Sequence, residues 1–337
     1  MSVRPPQGGE AQGEPRTNES RVRIPRREIW DIRMQLMAEA DVELEPTVST
    51  ATDSLLEGLA TGDLSTGVYE GGFKTWECAV DLAGFVASRA ESVNEEGGEW
   101  HVIELGAGSA ISSLVLLKGL LRERREGEET WTGEEGRGRS RRVRFTLCDY
   151  NEEVLRLCTA VNVFLTVLGV ADATTGNGEV IDNEGQSAEE GHVEVEQGFA
   201  QRALRVLSDA NIEVEFISGA WGDAFLSLLY PQRESANVAL DAKLGNSRTL
   251  VLASETIYSP DSLGPFSRLL VEIIENERRM KTEMTEILVA AKKVYFGVGG
   301  GVAEFEEEMR TLGGRTRTVL DVEGVGVRRV VLEVLAN

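Results

Sequence analysis

Histidine and cysteine are scarce in this chain of 337 residues, which holds two of the first and three of the second. Two histidines, His101 and His192, are too few for a histidine-based metal centre, and neither sits in the pattern of a Ser-His-Asp relay. His101 opens an apolar run and His192 falls in an acidic loop, so both read as ordinary structural residues and no metal site is expected. Cys78, Cys148 and Cys158 have neither metal nor redox spacing. They fit a reducing compartment and read as small apolar packing groups. No apolar run reads as long enough to span a bilayer, and Met1 to Arg27 lacks the apolar core of a secretory signal. Basic residues are outnumbered, 35 against 57 acidic, for a formal net charge of −22. Such a surface repels nucleic-acid phosphates, so no direct nucleic-acid binding is expected. It suits a basic partner, and it serves equally well as a plain aid to solubility.

The chain is long enough for one large α/β domain. Short apolar runs alternate with amphipathic helical stretches, as in βαβ units. Strands are expected at His101 to Leu105, Val143 to Cys148, Val214 to Ser218, Thr249 to Ala253 and Ile287 to Ala291. Helices are expected at Ile111 to Leu121, about Glu152 to Leu168 with Asn151 as N-cap, Leu263 to about Glu277, and Val302 to Leu312. Arg317 to Val322 and Val327 to Leu335 read as a closing antiparallel hairpin at the sheet edge. Residues 1–27 read as a disordered tail, 28–67 as an extension and 68–337 as the domain. Polar surface insertions are expected near 122–142 and 171–197. Five strand–helix units and a hairpin match a Rossmann-like, seven-stranded class I methyltransferase plan, whereas a dehydrogenase sheet would continue in parallel.

The most informative stretch is Val102-Ile103-Glu104-Leu105-Gly106-Ala107-Gly108-Ser109-Ala110. An apolar strand carries an acid near its end, breaks at glycines and passes into a helix. Glycines there let a ligand approach the backbone, and the helix start offers unpaired N–H groups. A dinucleotide fingerprint needs a third small residue five positions after the first glycine, where this chain has Ile111. S-adenosylmethionine has no phosphate and a cationic methionyl end, so an acid beside the turn suits it better. The same Gly-x-Gly would also serve an ordinary strand–helix turn. After the second strand, Asp149 stands where an acid meets ribose hydroxyls, though it could also cap the next helix. Trp76 and Trp221 fit a ligand wall or a core equally.

Further motifs converge on one family. Val68-Tyr69-Glu70-Gly71-Gly72-Phe73-Lys74-Thr75-Trp76-Glu77-Cys78 precedes the glycine loop. Asp149-Tyr150-Asn151, Ser254-Glu255-Thr256-Ile257-Tyr258 and Tyr295-Phe296-Gly297-Val298-Gly299-Gly300-Gly301 follow in order. Together they resemble the eukaryotic protein-histidine N-methyltransferases, which modify a histidine of a large-subunit ribosomal protein. The resemblance runs from about Leu55 to Leu312, interrupted by the two insertions. It implies S-adenosylmethionine as cofactor. Thr75, Trp76, Glu77, Cys78 and Ala79 would line the approach to its methionyl end. Glu104, Gly106 and Gly108 would meet it at the first strand's end, and Asp149, Tyr150 and Asn151 at the ribose. Gly219, Ala220 and Trp221 would bound the adenine, and Ser254 would face the reaction. Ala107 and Ala110 stand where relatives often have Cys and Gly.

A neutral imidazole is already a competent nucleophile, so the site needs alignment more than strong acid–base help. Glu255 or Tyr258 is expected to orient the ring or stabilise its charge after transfer, with Asp261 and Asp223 as weaker candidates. The implied substrate is a basic ribosomal protein in the cytoplasm and nucleus. A monomer away from membranes is expected. Two other readings fit the same residues: a lysine methyltransferase, and a binding protein that keeps the cofactor pocket without turnover.

Overall fold

The computed structural model describes residues 2–3, 22–42, 72–90, 93, 98–130, 141–172, 197–231, 247–295, 299–323 and 327–336. Seven strands form the main sheet: β1 (Glu99–Leu105), β2 (Val143–Asp149), β3 (Ile212–Ser218), β4 (Ser247–Ser254), β5 (Met284–Lys292), β6 (Gly314–Val322) and β7 (Arg329–Ala336). Their order is β3-β2-β1-β4-β5-β7-β6. The first five run parallel, and β7 inserts antiparallel between β5 and β6. This is the expected seven-stranded plan with its terminal hairpin.

Central strands are largely apolar because both faces are covered. Neighbouring residues point to opposite sides, so Val102 and Ile103 enter different cores. One face is packed by α2 (Glu77–Val86), α3 (Ile111–Thr130), α4 (Glu152–Asp172) and α5 (Phe199–Asp209). The other is packed by α6 (Asp223–Leu229), α7 (Pro260–Met280) and α8 (Val302–Thr311). His101 is buried, with Nε2 2.8 Å from the Thr146 hydroxyl and Nδ1 3.2 Å from the Arg144 guanidinium. Burial, and then Arg144, hold its pKa well below the usual value, so it is a neutral structural residue. Cys78, Cys148 and Cys158 are free and buried, as their spacing implies.

Several expectations are corrected. The stretch from Arg122 is not wholly a solvated insertion, because α3 continues to Thr130. Arg124 bonds the backbone oxygens of Ala210 and Arg141, and Arg125 that of Val170. These bonds anchor a polar sequence that composition alone reads as a loop. Residues 131–140 and 173–196, and with them His192, lie outside the described residues. The end of the supposed tail is packed: Ile24 is buried, and Arg27 donates its backbone N–H to Asn162 Oδ1 at 2.7 Å. A further helix, α1 (Ile29–Val42), buries Ile32 and Leu36 against Phe73, Val154 and Leu157. Helix α4 is long and apolar enough to cross a membrane by length and composition, contrary to the sequence reading. Val154, Leu157, Val163, Val167 and Leu168 are buried in the two cores it touches, which accounts for that composition. Asn151 does precede α4 but makes no side-chain capping bond.

The middle of α4, Leu155–Thr159, widens into a π turn. Such bulges often mark functional sites. Here Thr159 Oγ1 donates to the Gly108 carbonyl at 2.6 Å, and Asn162 Nδ2 donates to the Ser109 carbonyl at 3.1 Å. The helix thus pins the glycine loop from below.

Candidate functional site

The parallel strands end at one edge, and a cleft of about 290 Å³ opens there. Open α/β sheets bind ligands at that edge, where the strand order reverses between β1 and β4. Its walls bring together Trp76, just before α2, and Ala79 within it, Gly106 and Gly108 after β1, Asp149 and Tyr150 at the end of β2, and Ala220 and Trp221 after β3. Ser254, Glu255 and Tyr258 close it from the β4 end. These eleven expected residues lie far apart in sequence.

The glycine loop is shaped for close approach. Gly106 and Gly108 have φ of +69° and +51°. A methyl on Gly108 would sit 3.0 Å from the Gly72 carbonyl oxygen, and one on Gly106 would sit 2.9 Å from the Thr256 methyl. Ala110 also has positive φ, +56°. An alanine there carries the left-handed strain that a glycine would avoid. Gly108→Ala is expected to weaken cofactor binding by at least about tenfold through strain and crowding. Calorimetric titration of the folded variant measures this.

Asp149 is buried at the tip of β2. Its Oδ2 accepts from the Gly108 N–H and its Oδ1 from the Asn151 N–H, both at 3.0 Å. Burial pushes its pKa up to about 6, opposed by those backbone bonds. Trp221 packs edge-on against Phe225 at 5.0 Å, which fixes its ring as a wall.

Glu255 has a left-handed backbone, φ +57°, rare for a non-glycine residue and often a mark of function. Its side chain is only 10% exposed. The buried Oε1 has no aligned hydrogen bond, although Lys292 Nζ lies 3.4 Å away. Thr256 Oγ1 is likewise buried without a hydrogen-bond partner. The Tyr258 ring stands edge-on to Tyr295 at 6.4 Å.

Six expected residues support the cleft without lining it. Glu104 lies behind the loop, where Oε2 accepts from the Ser113 N–H in the first turn of α3. It therefore braces the helix start, and the sequence reading of it as a cofactor contact is revised. Thr75 Oγ1 donates to Ser109 Oγ at 2.9 Å. Glu77 pairs with Lys292 at 3.0 Å, and Cys78 is fully buried. Asn151 braces Asp149, and the Gly219 N–H donates to the Asp149 carbonyl at 3.1 Å. Asp223 also lies off the cleft, whereas Asp261 lines it. Residues 68–71 of the upstream motif lie outside the described residues.

Sequence reasoning assigned no role to Lys74, Ser109, Thr256, Ser262 and Pro265, all of which line the cleft. The first three sit inside the quoted motifs, which was the available signal. The last two arrive because α7 starts beside the β4 end.

Burial raises the Glu104 pKa from 4.5 to about 7, against the bonds from Ser113. The folded chain then binds this proton more tightly than the unfolded chain. Stability should accordingly fall as pH rises from about 4.5 to 7. Glu104→Gln keeps an acceptor and removes the charge. Relative to wild type it is expected to gain about 1–3 kcal/mol between pH 5 and pH 8. Thermal melts across that range measure the difference; a constant offset defeats the expectation.

The residues fit S-adenosylmethionine. Asp149, Glu255 and Asp261 surround the cleft with carboxylates, and Lys74 adds one ammonium. A ligand with an amino acid end and a sulfonium matches that set, whereas a pyrophosphate would face the carboxylates. The glycine cradle adds close backbone approach, and the buried Thr256 hydroxyl, with no hydrogen-bond partner, adds a polar group.

No family model matches the chain. It is similar to Histidine protein methyltransferase 1 of Schizosaccharomyces pombe, with 32% identity over 290 residues, 85% of this chain and 68% of that protein. The protein of the same name from Saccharomyces cerevisiae is 30% identical over 286 residues, 83% of this chain and 67% of that protein. Among solved structures, the rRNA methyltransferase aviRa of Streptomyces viridochromogenes shares 14% identity at a TM-score of 0.35. It spans 82% of this chain and 94% of that one, a likeness too low to bear on function.

Proposed function

This chain belongs to the histidine protein methyltransferase 1 family, and from that premise we propose that it methylates an imidazole nitrogen of a histidine in a basic ribosomal protein of the large subunit. The observation that supports the chemistry is the joining of Trp76, Gly108, Asp149, Trp221 and Glu255 in one cleft. S-adenosylmethionine supplies an activated methyl group when bound. Asp149 would hold its ribose, Ala220 and Trp221 its adenine, and Trp76, Ala79 and Lys74 its amino acid end.

The chain's own task is to present a neutral ring nitrogen in line. Glu255 would accept the N–H of the other ring nitrogen, which fixes the tautomer. After transfer the ring is cationic. Glu255 then stands where it can offset that charge and take the proton, with Tyr258 beside it. Incubating the enzyme with labelled S-adenosylmethionine and a cell extract, then finding the modified residue by mass spectrometry, tests the reading. Label on lysine alone would overturn it.

The net charge of −22 supports the basic substrate, and free substrate protein in cytoplasm and nucleus fits a monomeric enzyme. Association with that protein is expected to slow steeply between about 50 and 300 mM salt. Stopped-flow rates that do not change with salt would remove the steering role.

A further inference from the structure

We infer that Lys292 determines the class of nucleophile this cleft accepts, by filling from within the box that would otherwise recognise a substrate ammonium. The inference rests on the proposed methyl transfer and goes beyond it. A site that takes lysine needs an aromatic face and carboxylates to hold a cation. Such parts meet at one side of this cleft, although Glu77 lies just off its wall. Trp76 and Glu255 line it, and Glu77 follows Trp76 on α2.

The parts are already occupied. Lys292, the last residue of β5, sends Nζ to 3.0 Å from Glu77 Oε2 and 3.4 Å from Glu255 Oε1. The same nitrogen lies 5.2 Å from the centre of the Trp76 ring. Its backbone N–H donates to the Tyr295 hydroxyl at 3.2 Å, which fixes the end of the strand. The register places it beside the site: Ser254 pairs with Ala290, two residues before Lys292. Burial alone would lower the ammonium pKa, but Glu255 and Glu77 hold it above the usual value. It is a fixed positive charge.

An incoming lysine is itself cationic at neutral pH and would meet that charge at the same acceptor. A neutral imidazole meets no such penalty. It finds in Glu255 an acceptor that Lys292 holds in place. Lys292 is therefore a positioning and specificity residue. It is not expected to touch the reacting atoms.

The test uses two synthetic peptides of one sequence, the segment that the labelling experiment finds methylated, with histidine or lysine at the target position. Wild type, Lys292→Met and Lys292→Arg are each given both peptides in one tube, and products are counted by mass spectrometry. The ratio of lysine to histidine product does not depend on how much of a variant is folded. It is expected to rise at least about tenfold in Lys292→Met and to stay within about threefold of wild type in Lys292→Arg, which keeps the charge. A ratio unchanged in Lys292→Met, with histidine product still formed, overturns this inference alone. Wild-type enzyme that prefers the lysine peptide overturns both the inference and the histidine reading.

Discussion

Replacing Glu255 with glutamine is expected to lower kcat by about 100-fold or more while S-adenosylmethionine binding stays within about threefold. The carboxylate is held in a strained backbone at the end of β4, with Oε1 buried and no aligned hydrogen bond. Left-handed conformation at a non-glycine residue costs about 1–3 kcal/mol, so the surrounding structure must enforce it. The β4–β5 pairing does so, because the Glu255 N–H donates to the Ala290 carbonyl at 2.9 Å. Glutamine keeps the size and one acceptor but has no charge to offset a cationic ring. It can also present its amide N–H where an acceptor is needed. The loss should therefore appear in kcat more than in KM for the cofactor. Single-turnover assays with matched calorimetry separate the two. A glutamine variant that turns over within about threefold of wild type removes Glu255 from the chemistry.

The second large effect belongs to cofactor binding. Asp149→Ala is expected to raise the dissociation constant for S-adenosylmethionine by about 100-fold, and Asp149→Asn by less. The carboxylate accepts the Gly108 and Asn151 N–H groups and also lines the cleft. Its removal unpins the glycine loop and deletes the ribose acceptor together. Hydrogen bonds to a charged group contribute about 1.5–3 kcal/mol each, so losing even one accounts for most of that factor. With a pKa near 6 in the free protein, Asp149 also sets a pH dependence. Protonation removes the acceptor, so affinity should decline below about pH 6, approaching tenfold per unit, and the asparagine variant should lack this decline. A wild-type affinity that is flat from pH 5 to 8 would show that the ionised carboxylate is not what the cofactor reads.

Motifs with strong local chemistry led to residues that line one cleft. Gly106 and Gly108, Asp149, Trp221, Ser254 and Glu255 all reach the cleft from the segments where they were expected. Glu104 looked equally suited but faces the first turn of α3. The strand alternates its sides, and one residue's difference in position turns a side chain from the cleft to the helix behind it. The N-terminal helix was missed because its sequence shows little apolar periodicity, and its two buried anchors, Ile32 and Leu36, gain meaning only against Phe73 and Leu157.

From sequence alone came the strand–helix alternation, the closing hairpin, the glycine turn and the family likeness, because each is written in neighbouring residues through backbone preference and side-chain period. Folding alone decided that Lys292 stands between Glu77, Glu255 and the Trp76 ring, and that Thr159 and Asn162 hold the glycine loop. Those partners lie tens to hundreds of positions apart. They meet because parallel pairing of β4 with β5, and the packing of α4 beneath β1, bring distant strand and helix ends to one edge. No local pattern encodes such a meeting, since the energy that makes it comes from burying the sheet on both faces.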